Sequence, residues 1–442
     1  MNIFMDQGRP IGTIKALHGV NNGPIGYGSL IDVSHHYQAA GFPLVRLHDP
    51  NFPHPREIDI HTIFPDFSRD PEDPASYDFS RSDYYIRTIL ATGARIVWRL
   101  GESIEHTPEK YYVYPPADAA QWARICIGII RHYNYGWANG FHYDIRYWEI
   151  WNEPEGGGGL MWTGTAEQFR HLYRVAAPLI KAFDPALKIG GYGAALPMGE
   201  AEFFENFLDM CEREQIPLDF FSWHSYNDDP AVAREISEYV RAGLDRYGFT
   251  KAESHYNEWN FFDGDWTTLF LPGNERDRRE LFEKAKGTQG ASFAAAMLLT
   301  LQDCPVDEAN YYDGQPFSVW CGLFDYYGVP TKTYHAFRLF NDLCHHSQRL
   351  HVHLDDEGVY ACAGRNTAGE MAVLLSRYRG PSGIGKVVIR NALPGEWLVE
   401  QYRIDEDCDG QLISELEVGD SQPFQLPLPA FSVVYLKFRR KR

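Results

Sequence analysis

The sequence predicts an α/β protein: a closed (β/α)8 barrel of the TIM type, followed by an antiparallel β-sandwich. Three observations lead there. A unit of short β-rich run, polar loop and amphipathic helix recurs eight times, a count that suits a closed parallel barrel better than an open sheet. After about His345 the helical texture gives way to short alternating runs separated by turn residues. The chain has 442 residues, 44% of them hydrophobic, enough for one large domain and a small one.

The eight runs fall at 16–20, 44–48, 94–100, 145–151, 187–190, 220–226, 254–259 and 308–312. Between them the helices carry their own signals. Thr165-Ala-Glu-Gln168 is a capping box, in which each side chain satisfies a free backbone N–H of the other residue. Phe169, Leu172, Ala176, Leu179 and Phe183 then follow helical spacing, and Asp184-Pro185 ends the helix because the residue before proline avoids the α region. Pro230 opens another helix, with Val232, Ile236, Val240 and Leu244 on one face. A longer helix is expected from about Arg279 to Leu301.

The sandwich strands are read at 351–354, 359–363, 371–375, 387–389, 397–402 and 431–438, and the extreme N-terminus is expected to add one more. The expected division is therefore an N-terminal segment at 1–14, a barrel at 15–344 and a β-sandwich at 345–442.

Composition excludes several classes of function. The net charge of −19 disfavours nucleic acid and anionic membrane partners. The opening stretch has no apolar core of a leader, and no apolar run reaches membrane-spanning length, so a cytoplasmic protein is expected. Cys126, Cys211, Cys304, Cys321, Cys344, Cys362 and Cys408 are scattered without a C-x-x-C pair, which fits free thiols in a reducing compartment rather than disulfides or zinc. Neither metal nor cofactor is expected. Aromatic residues make up 15%, with 11 Trp, and sugar-gripping proteins need such faces because the C–H surface of a pyranose stacks on them.

In a parallel barrel the site lies at the C-terminal ends of the strands. Strand two ends in Arg46-Leu-His48-Asp49, strand four in Asn152-Glu153-Pro154, strand six in His224-Ser-Tyr226 and strand seven in Asn257-Glu258-Trp259. Strand eight ends near Asp313, with Trp320 a little further on. Two carboxylates on opposite sides of one rim suit glycosidic bond cleavage, which needs a proton donor for the leaving oxygen and a carboxylate to attack the anomeric carbon. At a separation of about 5 Å the attack is direct and configuration is retained. Anionic Glu258 is expected to raise the pKa of Glu153, with Arg46 and Tyr226 as suitable neighbours for the anion. Glu149 reads as a barrel-interior acid paired with an arginine. Asn152 reaches the same pocket as Glu153 only if the strand end is twisted or bulged, and such an irregularity is expected. Glu253, Glu102 and Asp263 are rival nucleophiles, while His54 and His61 in the long loop after strand two, with Glu102 at the end of strand three, are candidate substrate contacts.

The segment Trp148-Glu-Ile-Trp-Asn-Glu-Pro154 resembles the acid/base segment of glycoside hydrolase clan A, and of family 39 in particular, which includes β-xylosidases and α-L-iduronidases. Val45-Arg-Leu-His48, Ser76-Tyr-Asp-Phe79, Asp219-Phe-Phe-Ser-Trp-His-Ser-Tyr226 and Gly328-Val-Pro-Thr-Lys-Thr-Tyr-His-Ala-Phe337 are similar to further stretches of that family. The resemblance implies Glu153 as acid/base, Glu258 as nucleophile, and Arg46, Asn152, His224 and Tyr226 in support. His48, Trp162, Trp259, Asp313 and Trp320 complete the expected sugar contacts. It also implies a barrel joined to a β-sandwich, an oligosaccharide substrate and, in several members, a homo-oligomer.

Three stretches depart from the xylosidases: Glu155-Gly-Gly-Gly-Gly159, the strand-three end Arg99-Leu-Gly-Glu102, and the loop from Asp49 to Asp78. The expected activity is retaining removal of a terminal sugar from small oligosaccharides, β-xylosidase first. An α-L-arabinofuranosidase, a β-glucosidase or a β-galactosidase stands beside it. A catalytically silent sugar-binding barrel, or a barrel lyase or isomerase, is the alternative of another class.

Overall fold

The computed structural model describes residues 1–26, 28–51, 56–269, 271–316, 322–390, 395–419 and 422–441. Eight parallel strands close into a barrel: Gly19–Asn21, Leu44–Leu47, Arg95–Leu100, Tyr147–Ile150, Lys188–Ala194, Phe220–Asn227, Glu253–Phe261 and Glu308–Tyr311. They pair in chain order, and the last closes on the first through Asn310 opposite Gly19.

Alternation along these strands stacks the barrel interior in layers. Leu44, Val97, Tyr147 and Phe220 form a small apolar plug of their own. Two residues further along the same strands stand Arg46, Arg99, Glu149 and Ser222, all buried. Another step leads to His48 and His224, at the level of the site. The odd-numbered partners of strand two, Val45 and Leu47, point outward into the main core with Ile86 and Ile89.

Local signals explain most helices. Thr165 and Gln168 form the capping box at the start of helix Ala166–Phe183, which stops at Asp184. Its buried face is Phe169, Leu172, Tyr173, Ala176, Ala177 and Ile180, whereas Leu179 and Phe183 lie exposed. Asp229 caps helix Pro230–Arg246. The single helix expected from 279 to 301 is two, Glu275–Lys286 and Thr288–Thr300, broken at Gly287, whose ψ of −161° is extended. The break lets the second helix run buried between the barrel and the second sheet, where Ser376 Oγ donates to Ser292 O at 2.6 Å.

Among the described residues the second sheet has nine strands. Asn2–Thr13 belongs to it, antiparallel to Gln348–Leu354 and parallel to Gly383–Arg390. Residues from both ends of the sheet, including Trp397, Val399, Leu426 and Leu428, share one core with Ile3, Met5 and Phe438, so the sheet curls over itself as a sandwich. Two of its strands lie outside the runs read from the sequence: Asp409–Val418 at one edge, where Leu412 and Leu416 are exposed, and Phe424–Leu428 at the other, where Phe424, Leu426 and Leu428 alternate with Gln425 and Pro427. No helix among the described residues is long and apolar enough to cross a membrane.

Candidate active site

The site is assembled around one buried cation. Arg46, on the second barrel strand, donates from Nε to Glu149 Oε2, from Nη1 to Glu258 Oε1 and from Nη2 to Asn152 Oδ1, each at 2.6 Å. Glu149 Oε1 accepts from Ser222 Oγ at 2.5 Å and from Asn257 Nδ2 at 2.6 Å. Burial alone would raise the Glu149 carboxyl, but Arg46 and Ser222 outweigh it and hold it below the ordinary range. A buried guanidinium with its donors satisfied in this way is a rigid fork, and two of its prongs aim acceptors at the pocket.

The end of the fourth strand is irregular, as the position of Asn152 requires. Trp151 and Glu153 both take left-handed backbone, with φ of 71° and 46°. Glu153 N donates to the carbonyls of Tyr192 and Gly193 at 3.1 Å, fixing the kink. Asn152 and Glu153 therefore both face inward despite being adjacent. Gly193 is required beside them: a Cβ there would come within 2.8 Å of Asn152 Oδ1 and 3.1 Å of His224 Nε2, at a φ of +62°.

Glu258 reaches the same space from the seventh strand. Its Oε2 accepts from Tyr226 Oη at 2.6 Å, and its Oε1 lies 3.8 Å from His48 Nε2. His224 Nδ1 is hydrogen-bonded to Glu153 Oε1 at 2.7 Å. One oxygen of Glu153, one nitrogen of His224 and one oxygen of Glu258 all lie within 4.8 Å of one another. That trio has the spacing of a metal site, but Arg46 already occupies one oxygen of Glu258 and Tyr226 the other. A fixed cation and a hydroxyl where a metal's first contacts would be leave the trio better suited to proton and carboxylate chemistry.

Burial pushes the Glu153 carboxyl up to about 7, against the opposing pull of Arg46. The cause is thus desolvation rather than the anion of Glu258 that the sequence suggested. Burial likewise brings His224 down to about 4, so its imidazole is neutral at pH 7, even though Glu258 pulls the other way. Asp49 is raised to about 7 by burial and accepts from Ile104 N at 2.9 Å. At the end of strand eight, Asp313 accepts from Gln315 Nε2 at 2.9 Å and Asn22 Nδ2 at 3.3 Å.

Arg46, His48, Asn152, Glu153, His224, Tyr226 and Glu258 thus converge, with Asp313 nearby on the same rim. The rivals do not join them. Glu253 sits at the opposite end of its strand with Lys188 and His255, and despite burial their hydrogen bonds pull it down to about 2. Glu102 pairs with His61 at 2.5 Å, and Asp263 with Lys284 at 2.8 Å.

Two expected sugar platforms are packing residues. Trp259 follows Glu258 on a strand, so it points to the other face, where it stacks on Phe337 and meets Tyr311 edge-on. Trp162 is buried edge-to-face against Trp151 and Phe169, its Nε1 donating to Thr165 O. Trp320 and His54 lie outside the described residues. Asn257 was named at a strand end without a role, and Ser222 and Gly193 were not singled out. For Ser222 the signal was available, since it precedes His224 by the two-residue step that keeps side chains on one face.

Residues 35–261 match the family described as Glycosyl hydrolases family 39. The chain belongs to that family. It is a retaining glycoside hydrolase acting on a carbohydrate, β-xylosidase-like by its relatives. A β-xylosidase of Caldicellulosiruptor saccharolyticus is 24% identical over 378 residues, spanning 78% of this chain and 68% of that one. A glucosidase from Croceicoccus marinus superimposes with a TM-score of 0.83 at 27% identity, covering 100% of this chain and 99% of its own. A monomeric β-xylosidase from Caulobacter crescentus shares the fold of this family 39 hydrolase, with a TM-score of 0.73 at 17% identity over 100% of this chain and 99% of its own.

Proposed function

We propose that Glu258 is the nucleophile and Glu153 the acid/base of a double displacement. A Glu258 oxygen bonds to the anomeric carbon as the glycosidic C–O bond breaks, and the Glu153 proton goes to the departing oxygen. Glu153, now a carboxylate, takes a proton from water. The water oxygen bonds to the anomeric carbon, and the glycosyl ester of Glu258 is released. The observation that carries this reading is that an oxygen of one carboxyl lies within 4.8 Å of an oxygen of the other. Retaining enzymes hold their carboxyls about 5–5.5 Å apart, whereas inverting ones leave about 6.5–9.5 Å for a water between them.

Each carboxyl has the environment its step needs. Glu153, raised to about 7, keeps its proton near neutrality. Glu258 keeps a guanidinium on one oxygen and a phenol on the other, a setting for an anion. Asn152, oriented by Arg46, is suited to hydrogen-bond a ring hydroxyl of the bound sugar.

The substrate in this reading is a terminal β-xyloside of a small oligosaccharide, hydrolysed in the cytoplasm. Relatives described as β-xylosidases support the sugar, and the six described cysteines, all free, support a reducing compartment. A terminal β-glucoside is the second reading, favoured by the full-length likeness to the Croceicoccus marinus glucosidase. A panel of aryl β-xyloside, β-glucoside, β-galactoside and α-L-arabinofuranoside, with NMR of the first-formed sugar, tests both. Retention with the xyloside preferred is expected. Release of an inverted anomer, or no phenol from any substrate, would overturn the mechanism.

A further inference from the structure

The seventh barrel strand carries one residue more than either neighbour. Against the sixth strand, Tyr256 pairs with Trp223 and Glu258 with His224, so two steps on one strand meet one on the other. Against the eighth, Tyr256 pairs with Ala309 and Trp259 with Tyr311, three steps against two. The surplus residue between Tyr256 and Glu258 is Asn257, and the irregularity is a β-bulge.

The bulge decides which way Glu258 faces. Up to Tyr256 the strand alternates regularly. His255 is on the inner face, stacked on Phe220 of the apolar plug at 4.5 Å, and Tyr256 is on the outer face, stacked on Trp223 at 4.1 Å. Unbroken alternation would turn Asn257 in and Glu258 out. With the extra residue both face in: Asn257 Nδ2 donates to Glu149 Oε1 and Glu258 Oε1 accepts from Arg46 Nη1, each at 2.6 Å.

Asn257 is buried and held at two points. Its side chain is tied to Glu149, and its backbone carbonyl accepts from Asn21 Nδ2 at 2.8 Å. Asn21 Oδ1 accepts in turn from Arg46 Nη1 at 3.2 Å. One buried ion pair therefore governs both irregular strand ends. Arg46 holds Asn152, the residue before Glu153, and Glu149 holds Asn257, the residue before Glu258.

We infer that Asn257 is a positioning residue for the reaction: by anchoring the bulge to Glu149 it turns Glu258 into the pocket and fixes its carboxylate between Arg46 and Tyr226. The inference rests on the proposed role of Glu258 as nucleophile and names what sets its place. Asn257 acts through the backbone of its neighbour, and a nucleophile displaced by about 1 Å loses about 100-fold in rate.

The test is labelling by a dinitrophenyl 2-deoxy-2-fluoro glycoside of the sugar the enzyme cleaves best, in the unaltered enzyme, Asn257→Ala and Asn257→Ser. In this reaction a Glu258 oxygen bonds to the anomeric carbon and dinitrophenolate departs without needing a proton, so the acid role of Glu153 does not enter. The time course gives the rate constant and the amount of enzyme labelled separately. For Asn257→Ala the rate constant at saturation is expected to fall about 10- to 100-fold, with the dissociation constant of the reagent within about 3-fold. Asn257→Ser, the milder change should Asn257→Ala fail to fold, is expected to show the same split. A purely structural role would lower the amount labelled and leave the rate constant alone. That result, or a loss confined to affinity, would overturn the inference. No labelling of the unaltered enzyme, or labelling away from Glu258, would instead overturn the hydrolytic reading beneath it.

Discussion

Arg46 donates to Glu258 at 2.6 Å from the same guanidinium that holds Glu149 and Asn152. Replacing it by methionine leaves two buried carboxylates without their shared cation, a loss of about 3–5 kcal/mol for a broken buried pair. Arg46→Met is expected to lower the urea midpoint markedly and to abolish turnover. Arg46→Lys, which keeps the charge but loses the fork, is expected to fold better and still lose most of its activity. Urea titration alongside kcat measures both.

Tyr226→Phe removes one hydrogen bond to an anion and leaves the ring contacts in place. Hydrogen bonds to charged groups contribute about 1.5–3 kcal/mol, so stability is expected to fall by that order, and kcat by about 10- to 150-fold where the bond supports the reacting carboxylate. A drop of less than about 2-fold would mean that the phenol does not support Glu258 during the reaction.

The raised Glu153 carboxyl predicts two pH effects. Hydrolysis of substrates with poor leaving groups needs its proton, so kcat/KM is expected to fall above about pH 7. Glu153→Ala is expected to slow such substrates far more than activated aryl glycosides, whose leaving groups need little protonation. Equal loss on both substrate types would remove Glu153 from the acid role.

The second effect is on stability. A carboxyl raised in the folded state stabilises fully only below its unfolded value, near 4.3, and that contribution is lost as pH rises through about 7. Glu153→Gln, free of this loss, is expected to gain roughly 1–3 kcal/mol relative to the unaltered enzyme at pH 8, and nothing at pH 4. Urea unfolding at the two pH values reads the difference.

Trp162→Ala tests the reassignment of that residue from sugar contact to packing. Loss of a buried indole between Trp151 and Phe169 is expected to cost about 3–5 kcal/mol of stability. KM of the enzyme that remains folded is expected to stay within about 2-fold. A large rise in KM would return Trp162 to the substrate.

Much of the fold was legible because barrel strands announce themselves by position and period. All eight sequence runs coincide with barrel strands, and the strand ends named Arg46, His48, Asn152, Glu153, His224, Tyr226 and Glu258 as neighbours. The kink at Trp151 and Glu153 was also legible, since two adjacent polar residues cannot share a strand face otherwise. Tryptophans were the failure. Their composition points to sugar binding, but only the direction of the backbone shows that Trp259 turns out to Phe337, away from the face that Glu258 presents. The origin of the Glu153 shift was equally hidden, because sequence shows which charges exist and not how deeply each is buried. The edge strand Phe424–Leu428 stayed silent for a further reason: its apolar residues alternate with Gln425 and Pro427, and a proline argues against a strand except at an edge, where not every backbone donor is needed.

The central assignment is that Glu258 forms the covalent bond to the sugar. Treating the enzyme with a 2-deoxy-2-fluoro glycoside bearing a good leaving group slows breakdown of the glycosyl ester enough to locate it by mass spectrometry of the peptides. The account predicts a single fluoroglycosyl adduct on the peptide containing Glu258, absent in Glu258→Gln. An adduct on Glu102, Asp49 or any other residue would contradict it.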